Sequence, residues 1–334
     1  MEFQLPFTIP PAAFRIVHPD AVILSGSCFS EHIGSRLTTG KFPLISNPHG
    51  ILFNPASLAS GLEACVNGKV YNDDDIFLLN GVWNSWDFHS AYSAVDMNTA
   101  LSRMNASVEE AGNMIKTARC LIITFGSAYQ YFLKAEYTGD NKSCAVSNCH
   151  KAPGQWFDKQ MLETVAMLEQ WTDLVQKLHY VNPRLQIIFT VSPVRHYRDG
   201  LAENNRSKGR LLELAHTLSE QYGHCHYFPA YELVQDVLRD YRFFDADMVH
   251  PNAQAVQYVW ERFSETYMSQ ETRQLLKRLQ EVTLAMRHTE RFPGTESSRK
   301  FREGMLKKVI QLKQDFPFLY LEREQEHFSK MSDV

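Results

Sequence analysis

Short apolar runs alternate along the chain with longer segments whose hydrophobic positions recur every three or four residues. The runs predict strands, because they end at Gly, Pro or Ser, and they cover residues 21–24, 42–45, 120–125, 185–191 and 226–228. The longer segments predict helices over residues 28–37, 55–66, 158–179, 207–222 and 253–267. Parallel strands need such crossovers, because each one carries the chain back across the sheet. We therefore predict a three-layer α/β/α fold with a mainly parallel sheet over residues 15–268.

Two segments depart from this alternation. Residues 72–116 are less regular and are predicted to form an insertion near the strand ends. After residue 268, two apolar stripes flank Pro293-Gly294, and they comprise Leu275, Leu279, Val282 and Met286, then Phe301, Met305, Val309 and Leu312. These stripes predict a C-terminal helical hairpin over residues 269–334. We expect it to pack against the α/β domain or to join two copies in a homo-oligomer, with a regulatory or targeting role as the alternative.

Composition and charge exclude several classes of protein. The 334 residues are 44% hydrophobic and 22% charged, which is typical of a globular chain with a sizeable core. Lys and Arg total 34 against 38 Asp and Glu, so no positive excess points to a nucleic-acid partner. No apolar run reaches the roughly 18–20 residues that span a bilayer, and the amino terminus does not resemble a signal peptide. The chain is therefore predicted to have no transmembrane segment. Six scattered cysteines predict reduced thiols, and hence a cytoplasmic protein.

The first predicted strand leads directly into a helix through Ser25-Gly26-Ser27-Cys28. A nucleophile at this point would lie beside free backbone N–H groups and the positive end of a helix dipole, which lowers the pKa of a thiol. Gly26 permits the sharp turn. The residues alone leave a second interpretation open, in which Ser27 caps the helix and Cys28 is a small buried residue.

Asp247 and His250 stand three residues apart, before the helix predicted from Ala253. In a tight turn this spacing lets the carboxylate reach Nδ1 of the imidazole, which leaves Nε2 to accept a proton from a nucleophile. The alternative is an aspartate that caps the helix beside an exposed histidine. Because a parallel sheet brings its strand ends to one edge, we expect this pair to lie close to the Gly26–Cys28 turn.

Several motifs together resemble one family. Gly26-Ser27-Cys28-Phe29 is similar to the motif that names the GSCFA-domain proteins, which are related to the SGNH/GDSL hydrolases, although Ser30 replaces the final alanine. Further segments similar to that family follow in its order, at residues 47–55, 148–151, 192–195, 198–200, 204–205, 207–208 and 247–251. The resemblance covers residues 20–265.

The resemblance to the hydrolases implies roles for residues at three strand ends. Cys28 stands where those enzymes have their nucleophilic serine, with Ser27 as the fallback. Gly50 and Asn54, after the second strand, are the expected oxyanion-hole donors together with the N–H of Cys28. After the third strand the hydrolase pattern has an asparagine that this chain lacks, and Ser127 or Asn54 is expected to take its place.

Other polar residues are candidates for substrate contact. Arg195 follows the fourth strand and can bind an anionic group bidentately, or else hold loop carbonyls in place. His89 and His150 are expected to line the pocket as acid–base or substrate-contacting groups. The spacing of the Cys and His residues at 144–150 and 224–226 does not match a closed zinc site, so we predict no metal and no cofactor.

The sequence thus predicts an SGNH-like acyl hydrolase, either esterase or thioesterase, or an acyltransferase. Cys28 would be the nucleophile, His250 the general base and Asp247 the residue that orients it, acting on an acylated small molecule, saccharide or lipid. The alternative prediction is a non-catalytic module that binds an acylated saccharide or lipid in the same cleft.

Overall fold

The computed structural model describes residues 6–138, 141–289, 291–292 and 294–329, and for Cys28 it describes the backbone alone. The strands are β1 (Val22–Gly26), β2 (Leu44–Ser46), β3 (Phe77–Leu79), β4 (Val82–Asn84), β5 (Cys120–Phe125), β6 (Tyr129–Leu133), β7 (Cys144–Val146), β8 (Phe157–Met161), β9 (Gln186–Val191) and β10 (Cys225–Tyr227). The helices are α1 (Cys28–Thr39), α2 (Pro55–Asn67), α3 (Met97–Ile115), α4 (Thr164–Val181), α5 (Leu201–Gln221), α6 (Ala230–Glu232), α7 (Ala253–Tyr267), α8 (Gln270–Arg287), α9 (Glu296–Asp315) and α10 (Glu322–Ser329). A π-helical turn over Leu233–Leu238 continues α6.

Five parallel strands form the central sheet in the order β10-β9-β5-β1-β2. Val22 pairs with Leu44 on one side and with Cys120 on the other, so β1 lies between β2 and β5. The chain therefore winds away from β1 in opposite directions. In an open parallel sheet, ligands bind beyond the carboxyl ends of the strands at such a reversal, which here falls between β1 and β5.

Alternate side chains of the strands enter two separate hydrophobic clusters, one on each face of the sheet. On one face, helices α2 to α5 pack against Ile23, Leu121, Ile123, Phe125, Ile187 and Phe189. On the other face, α1, α6 and α7 pack against Val22, Leu24, Cys120, Ile122 and Ile188. Burial on both faces explains why these strands are continuous apolar runs rather than alternating ones. The predicted three-layer α/β/α fold with a parallel sheet is confirmed.

Helix α7 fixes which edge of the sheet receives the Asp247–His250 segment. At its carboxyl end, Tyr267 and Met268 pair with Ile16, which precedes β1. A helix of this length spans about 22 Å, roughly the depth of a sheet. The start of α7, and the loop before it, therefore lie at the opposite edge, where β1, β5 and β9 end.

Three segments differ from the expectations. The segment 72–116 is irregular only as far as Asp96, because α3 is a regular helix whose apolar side packs on the sheet. Strands β6, β7 and β8 form a small antiparallel sheet that the sequence did not predict. Pairing with β6 holds residues 157–161 in a strand, so the helix expected from residue 158 begins at Thr164. Helix α5 begins six residues earlier than expected, which places Ser207 within the helix rather than at its cap.

The described part of the C-terminal segment forms three helices instead of the predicted two. The two apolar stripes meet in one cluster, which also includes Leu319, Leu321 and Phe328. This cluster is held to the rest of the chain by a hydrogen bond from the backbone of His18 to the Thr272 hydroxyl (3.1 Å) and by the ion pair between Lys41 and Glu324 (2.6 Å). Pro293, expected to break the chain between the stripes, lies outside the described residues. Among the described helices, none is long and apolar enough to cross a membrane.

Gly26 allows β1 to lie close to β5 at the point where the chain leaves the sheet. Its φ is +154°, and a Cβ built on it would come within 2.4 Å of the carbonyl oxygen of Thr124. We predict that Gly26→Ala lowers the free energy of unfolding by about 2–5 kcal/mol, because it combines backbone strain with overpacking. Urea denaturation measures the effect.

The matched control is Gly209→Ala within α5, where a new Cβ meets no atom within 4 Å. That change should stabilise the protein by up to about 1 kcal/mol, as Gly to Ala does inside a helix. Equal unfolding midpoints for wild type and Gly26→Ala would contradict the prediction.

Candidate active site

The turn between β1 and α1 places Ser27 and Cys28 at the carboxyl edge of the sheet. Asn47, itself in a left-handed conformation, accepts a hydrogen bond from the Gly26 N–H through its side-chain oxygen (2.9 Å). Ser27 is only 2% exposed, its hydroxyl is buried with no hydrogen-bond partner among the described side chains, and it gives α1 no side-chain cap. Cys28 is the first residue of α1, and its side chain, the expected nucleophile, lies outside the described part of the structure.

Asp247 and His250 form a hydrogen-bonded pair on the surface. Oδ2 of Asp247 lies 2.6 Å from Nδ1 of His250, and Oδ1 accepts hydrogen bonds from the backbone N–H groups of His250 (3.0 Å) and Val249 (2.9 Å). The backbone N–H of His250, the imidazole and the N–H of Val249 together lower the pKa of Asp247 to about 2. Because an ionised carboxylate only accepts hydrogen bonds, Nδ1 of His250 carries the proton in this contact, which leaves Nε2 as the ring nitrogen that can accept one.

The loop that carries this pair is held in place at both ends. Asn252 caps α7 by accepting hydrogen bonds from the N–H groups of Gln254 and Ala255. Arg195 donates from its guanidinium to the carbonyl of Met248 (3.1 Å) and from its backbone to the carbonyl of Val249 (3.3 Å). The loop after β9 therefore determines where the Asp247–His250 pair lies.

Arg195 has the second of the two roles that the sequence allowed. Besides Met248, its guanidinium donates to Oε1 of Gln235 (3.0 Å), and it lies over the ring of Phe244 at 4.1 Å. A guanidinium with these partners holds loop carbonyls rather than offering an open fork to an anion. The substrate contact expected for Arg195 is thus replaced by a positioning contact.

The His250 loop lies near α1 and near the loop after β9. His32, one helical turn beyond Cys28 on α1, lies within electrostatic range of both Asp245 and His250. His32, Asp245 and Pro251 also line one groove of about 550 Å³. On the other side, His196 interacts with His250. The pair and the amino terminus of α1 therefore lie beside the same edge of the sheet.

Two of the three donors expected for the oxyanion hole, Gly50 and Asn54, have other partners. The N–H of Gly50 donates to the carbonyl of Asn47 at 2.7 Å, and a Cβ at Gly50 would collide with His89. Asn54 caps α2, because its oxygen accepts from the N–H of Ser57 (2.8 Å) and its amide donates to the Ser57 hydroxyl (3.0 Å). Both positions therefore have local structural roles in this arrangement, contrary to the expectation.

The remaining expected pocket residues are also held by neighbours. The Ser127 hydroxyl is buried and accepts from the N–H of Tyr129 (3.2 Å). The ring of His89 accepts from the N–H of Ala91 (3.2 Å), which caps a short 3₁₀ turn. His150 is 8% exposed and links Ser90 (3.0 Å) to the carbonyl of Ser85 (2.7 Å), so it fixes a loop rather than facing solvent.

A model of the GSCFA family matches residues 21–263. The chain belongs to the GSCFA family. Among solved structures, it is similar to a carbohydrate esterase family 3 protein from Talaromyces cellulolyticus, with a TM-score of 0.33 and 10% identity over 77% of this chain and 98% of that one. No curated protein matches the chain significantly.

The GSCFA match ends within α7, so α8, α9 and α10 lie outside the matched region. One wall of the groove beside Asp245 nevertheless comes from α8, through Leu276 and Arg287. Helix α8 therefore borders the surface next to the Asp247–His250 pair.

Lys208 is a structural residue of this GSCFA protein that the sequence analysis did not single out as part of the site. It is 1% exposed and donates to the carbonyls of Gly126 (2.6 Å) and Ser192 (2.7 Å), which end β5 and β9. From the same helix, Asn204 accepts from the N–H of His196 (2.8 Å). A lysine among the apolar positions of α5 was the available signal, since burial of a lysine requires partners.

We predict that Lys208 makes stability depend on pH. Burial lowers its pKa to about 7, so between pH 7 and the unfolded value near 10.5 the unfolded chain binds more protons and stability rises with pH. As the pH rises through this range, the unfolding free energy of wild type should therefore increase relative to that of Lys208→Met. The growth is at most about 1.4 kcal/mol per pH unit.

Urea denaturation of both proteins at several pH values in this range measures that difference, and subtraction removes the contribution of other titrating groups. Lys277→Met, an exposed position on α8, is the control and should show no trend. A wild-type minus Lys208→Met difference that stays constant with pH would contradict the prediction.

Proposed function

We propose that this protein is an SGNH-like acyl hydrolase or acyltransferase that uses Cys28 as nucleophile, His250 as general base and Asp247 to orient the base. The observation that carries the proposal is the 2.6 Å contact between Asp247 Oδ2 and His250 Nδ1, at the edge of the sheet where α1 begins. A fixed tautomer with Nε2 free is what a general base beside a thiol needs.

The proposed reaction proceeds through a thioester. His250 Nε2 removes the thiol proton, and the sulfur of Cys28 attacks the carbonyl carbon of an ester or thioester. When the tetrahedral intermediate collapses, the bond to the leaving group breaks and His250 returns the proton to that group. Water or an acceptor hydroxyl then attacks the thioester, His250 takes its proton, and the thiol is released with the acyl group transferred.

We place the oxyanion at the amino terminus of α1, because Gly50 and Asn54 have other partners. The first N–H groups of a helix lack intrahelical acceptors, and Ser27 gives them no side-chain cap. The same dipole end favours a thiolate at Cys28. One helix terminus thus supports both the nucleophile and the developing negative charge.

Cys28 is preferred over Ser27 for two reasons. The Ser27 hydroxyl is buried, which separates it from an incoming substrate. A thiol also ionises far more readily at neutral pH than an alcohol, so it needs less help from its base.

A second candidate function is a module that binds an acylated saccharide or lipid without turnover. The engaged Gly50 and Asn54 donors favour it, since removal of one oxyanion-hole donor typically costs about 2.7–4 kcal/mol of transition-state stabilisation. Cys28-dependent turnover distinguishes the two functions.

In either case we propose a cytoplasmic protein, because Cys65, Cys120, Cys149 and Cys225 form no disulfides.

We predict that Cys28→Ala and His250→Ala reduce hydrolysis of p-nitrophenyl acetate and a short-chain thioester to background. Asp247→Asn should lower kcat/KM by about 10²- to 10⁴-fold, because the imidazole loses its fixed tautomer. Steady-state kinetics measure all three variants.

Matched controls are Cys120→Ala, at the amino end of β5, and His179→Ala, in the last turn of α4, and both should leave kcat/KM unchanged. Ser27→Ala should retain turnover if Cys28 is the nucleophile. Equal rates in wild type, Cys28→Ala and His250→Ala would remove the assignment.

We also predict that iodoacetamide alkylates Cys28 at a lower pH than the other thiols. Burial raises the pKa of Cys65 and Cys225 to about 12 and that of Cys149 to about 11, and it also raises the pKa of Cys120. Because Cys144 is exposed, the experiment uses a Cys144→Ser background.

In that background, peptide mapping should find the label on Cys28 at about pH 6–7. In His250→Ala, the alkylation of Cys28 should require a higher pH. No alkylation of Cys28 below about pH 8, or an unchanged profile in His250→Ala, would favour the binding module.

A further inference from the structure

An apolar cleft of about 520 Å³ opens directly beside the Asp247–His250 pair. Asp247 itself forms part of its wall. The other walls come from the loop after β9, the start of α5 and the 3₁₀ turn before the loop, through Tyr197, Leu201, Tyr241 and Met248. The cleft is thus continuous with the proposed catalytic loop and has the size of a small-molecule subsite.

The four apolar side chains are unusually exposed for a group that lies together. Tyr197 is 63% exposed, Tyr241 59%, Met248 51% and Leu201 50%. Isolated exposed apolar residues are ordinary, but contiguous ones with a polar rim mark binding surfaces. Because these side chains are exposed to water, their apolar surface contributes little to the stability of the fold.

Met248 also has an unfavourable backbone conformation. Its φ is +59°, which is uncommon for a residue other than glycine, asparagine or aspartate. The contact from Arg195 to its carbonyl and a hydrogen bond from its N–H to the carbonyl of Asp245 (2.9 Å) hold it there. The loop is therefore fixed in a strained form that directs an apolar side chain into the cleft, one residue from Asp247. Such strain is concentrated at functional sites.

The polar groups at the rim are already occupied. The guanidinium of Arg195 is committed to Met248 and Gln235, and the carboxylate of Asp247 is committed to His250 and Val249. None of the four exposed side chains in the cleft is charged, and an apolar group that binds there would displace water from all four. The cleft therefore favours the binding of a neutral, apolar group.

We propose that this cleft binds the apolar acyl chain of the substrate, so that the protein prefers medium-chain acyl groups over acetyl. The inference rests on the proposed function, because it assigns the chain to the acyl group that Cys28 would receive. The carbonyl would lie at the start of α1, and the chain would extend past Asp247 towards Tyr241.

The chain-length dependence of kcat/KM tests the proposal. Each methylene that enters the cleft should raise kcat/KM by about twofold to fourfold, depending on how fully it is buried, so p-nitrophenyl hexanoate should exceed the acetate by about tenfold or more. In the double variant Tyr197→Ala/Leu201→Ala this ratio should fall below about threefold.

The control is Tyr180→Ala/Leu78→Ala, which removes the same side-chain types at exposed positions (88% and 57%) outside the cleft and should keep the wild-type ratio. A flat chain-length profile in wild type would overturn the proposal. So would an equal loss of the ratio in the control.

A binding measurement separates this inference from the proposed function. In protein labelled with ¹³C at the methionine methyls, hexanamide should shift the Met248 resonance, which Met248→Leu identifies, and acetamide should not. A shift without any Cys28-dependent turnover would sink the proposed function and leave an apolar subsite. Turnover without a shift would sink the acyl-chain subsite alone. A shift that a peptide displaces would indicate a protein-docking surface and would also overturn it.

Discussion

The close approach of β1 and β5 at Gly26 is the constraint on which the rest of the arrangement depends. A side chain at this position would collide with Thr124, so only glycine lets the two central strands stay paired up to the point where the chain turns into α1. Because β1 is also where the winding direction reverses, α1 begins at the crevice where an open parallel sheet binds ligands. The fold thereby brings the uncapped end of a helix to the position best suited to stabilise negative charge.

The second half of the site depends on side chains that do not touch a substrate. The Asp247–His250 loop contains little regular structure, and Arg195 holds it by two carbonyls. Lys208 in turn ties the end of β9 to the end of β5 from within α5. The side chains of Lys208 and Arg195 thus connect the rigid edge of the sheet to the loop that carries the exposed histidine. This explains how a pair that is nearly half exposed can keep a defined geometry.

Features that arise from local pattern could be predicted from the sequence, and features that arise from distant pairing could not. The five strands of the central sheet and the start of α7 follow from continuous apolar runs and from the helical period. Residues 157–161 follow the helical period equally well, yet pairing with β6 makes them a strand. Likewise, the close spacing of Asp247 and His250 predicted their contact, while the hydrogen bond that occupies the Gly50 N–H depends on the turn that Asn47 adopts. A lysine among the apolar positions of α5 indicates that Lys208 needs partners, but the two strand ends that supply them are distant in the chain and leave no local pattern.

The most direct test of the account is to trap the acyl-enzyme. Wild-type protein mixed briefly with p-nitrophenyl hexanoate and quenched in acid should gain the mass of one acyl group, and peptide mapping should place that group on Cys28. The adduct should be lost on treatment with hydroxylamine, as a thioester is. An acyl group on Ser27, or no adduct under conditions where nitrophenolate is released, would contradict the claim that the thiol at the start of α1 and the imidazole of His250 act together.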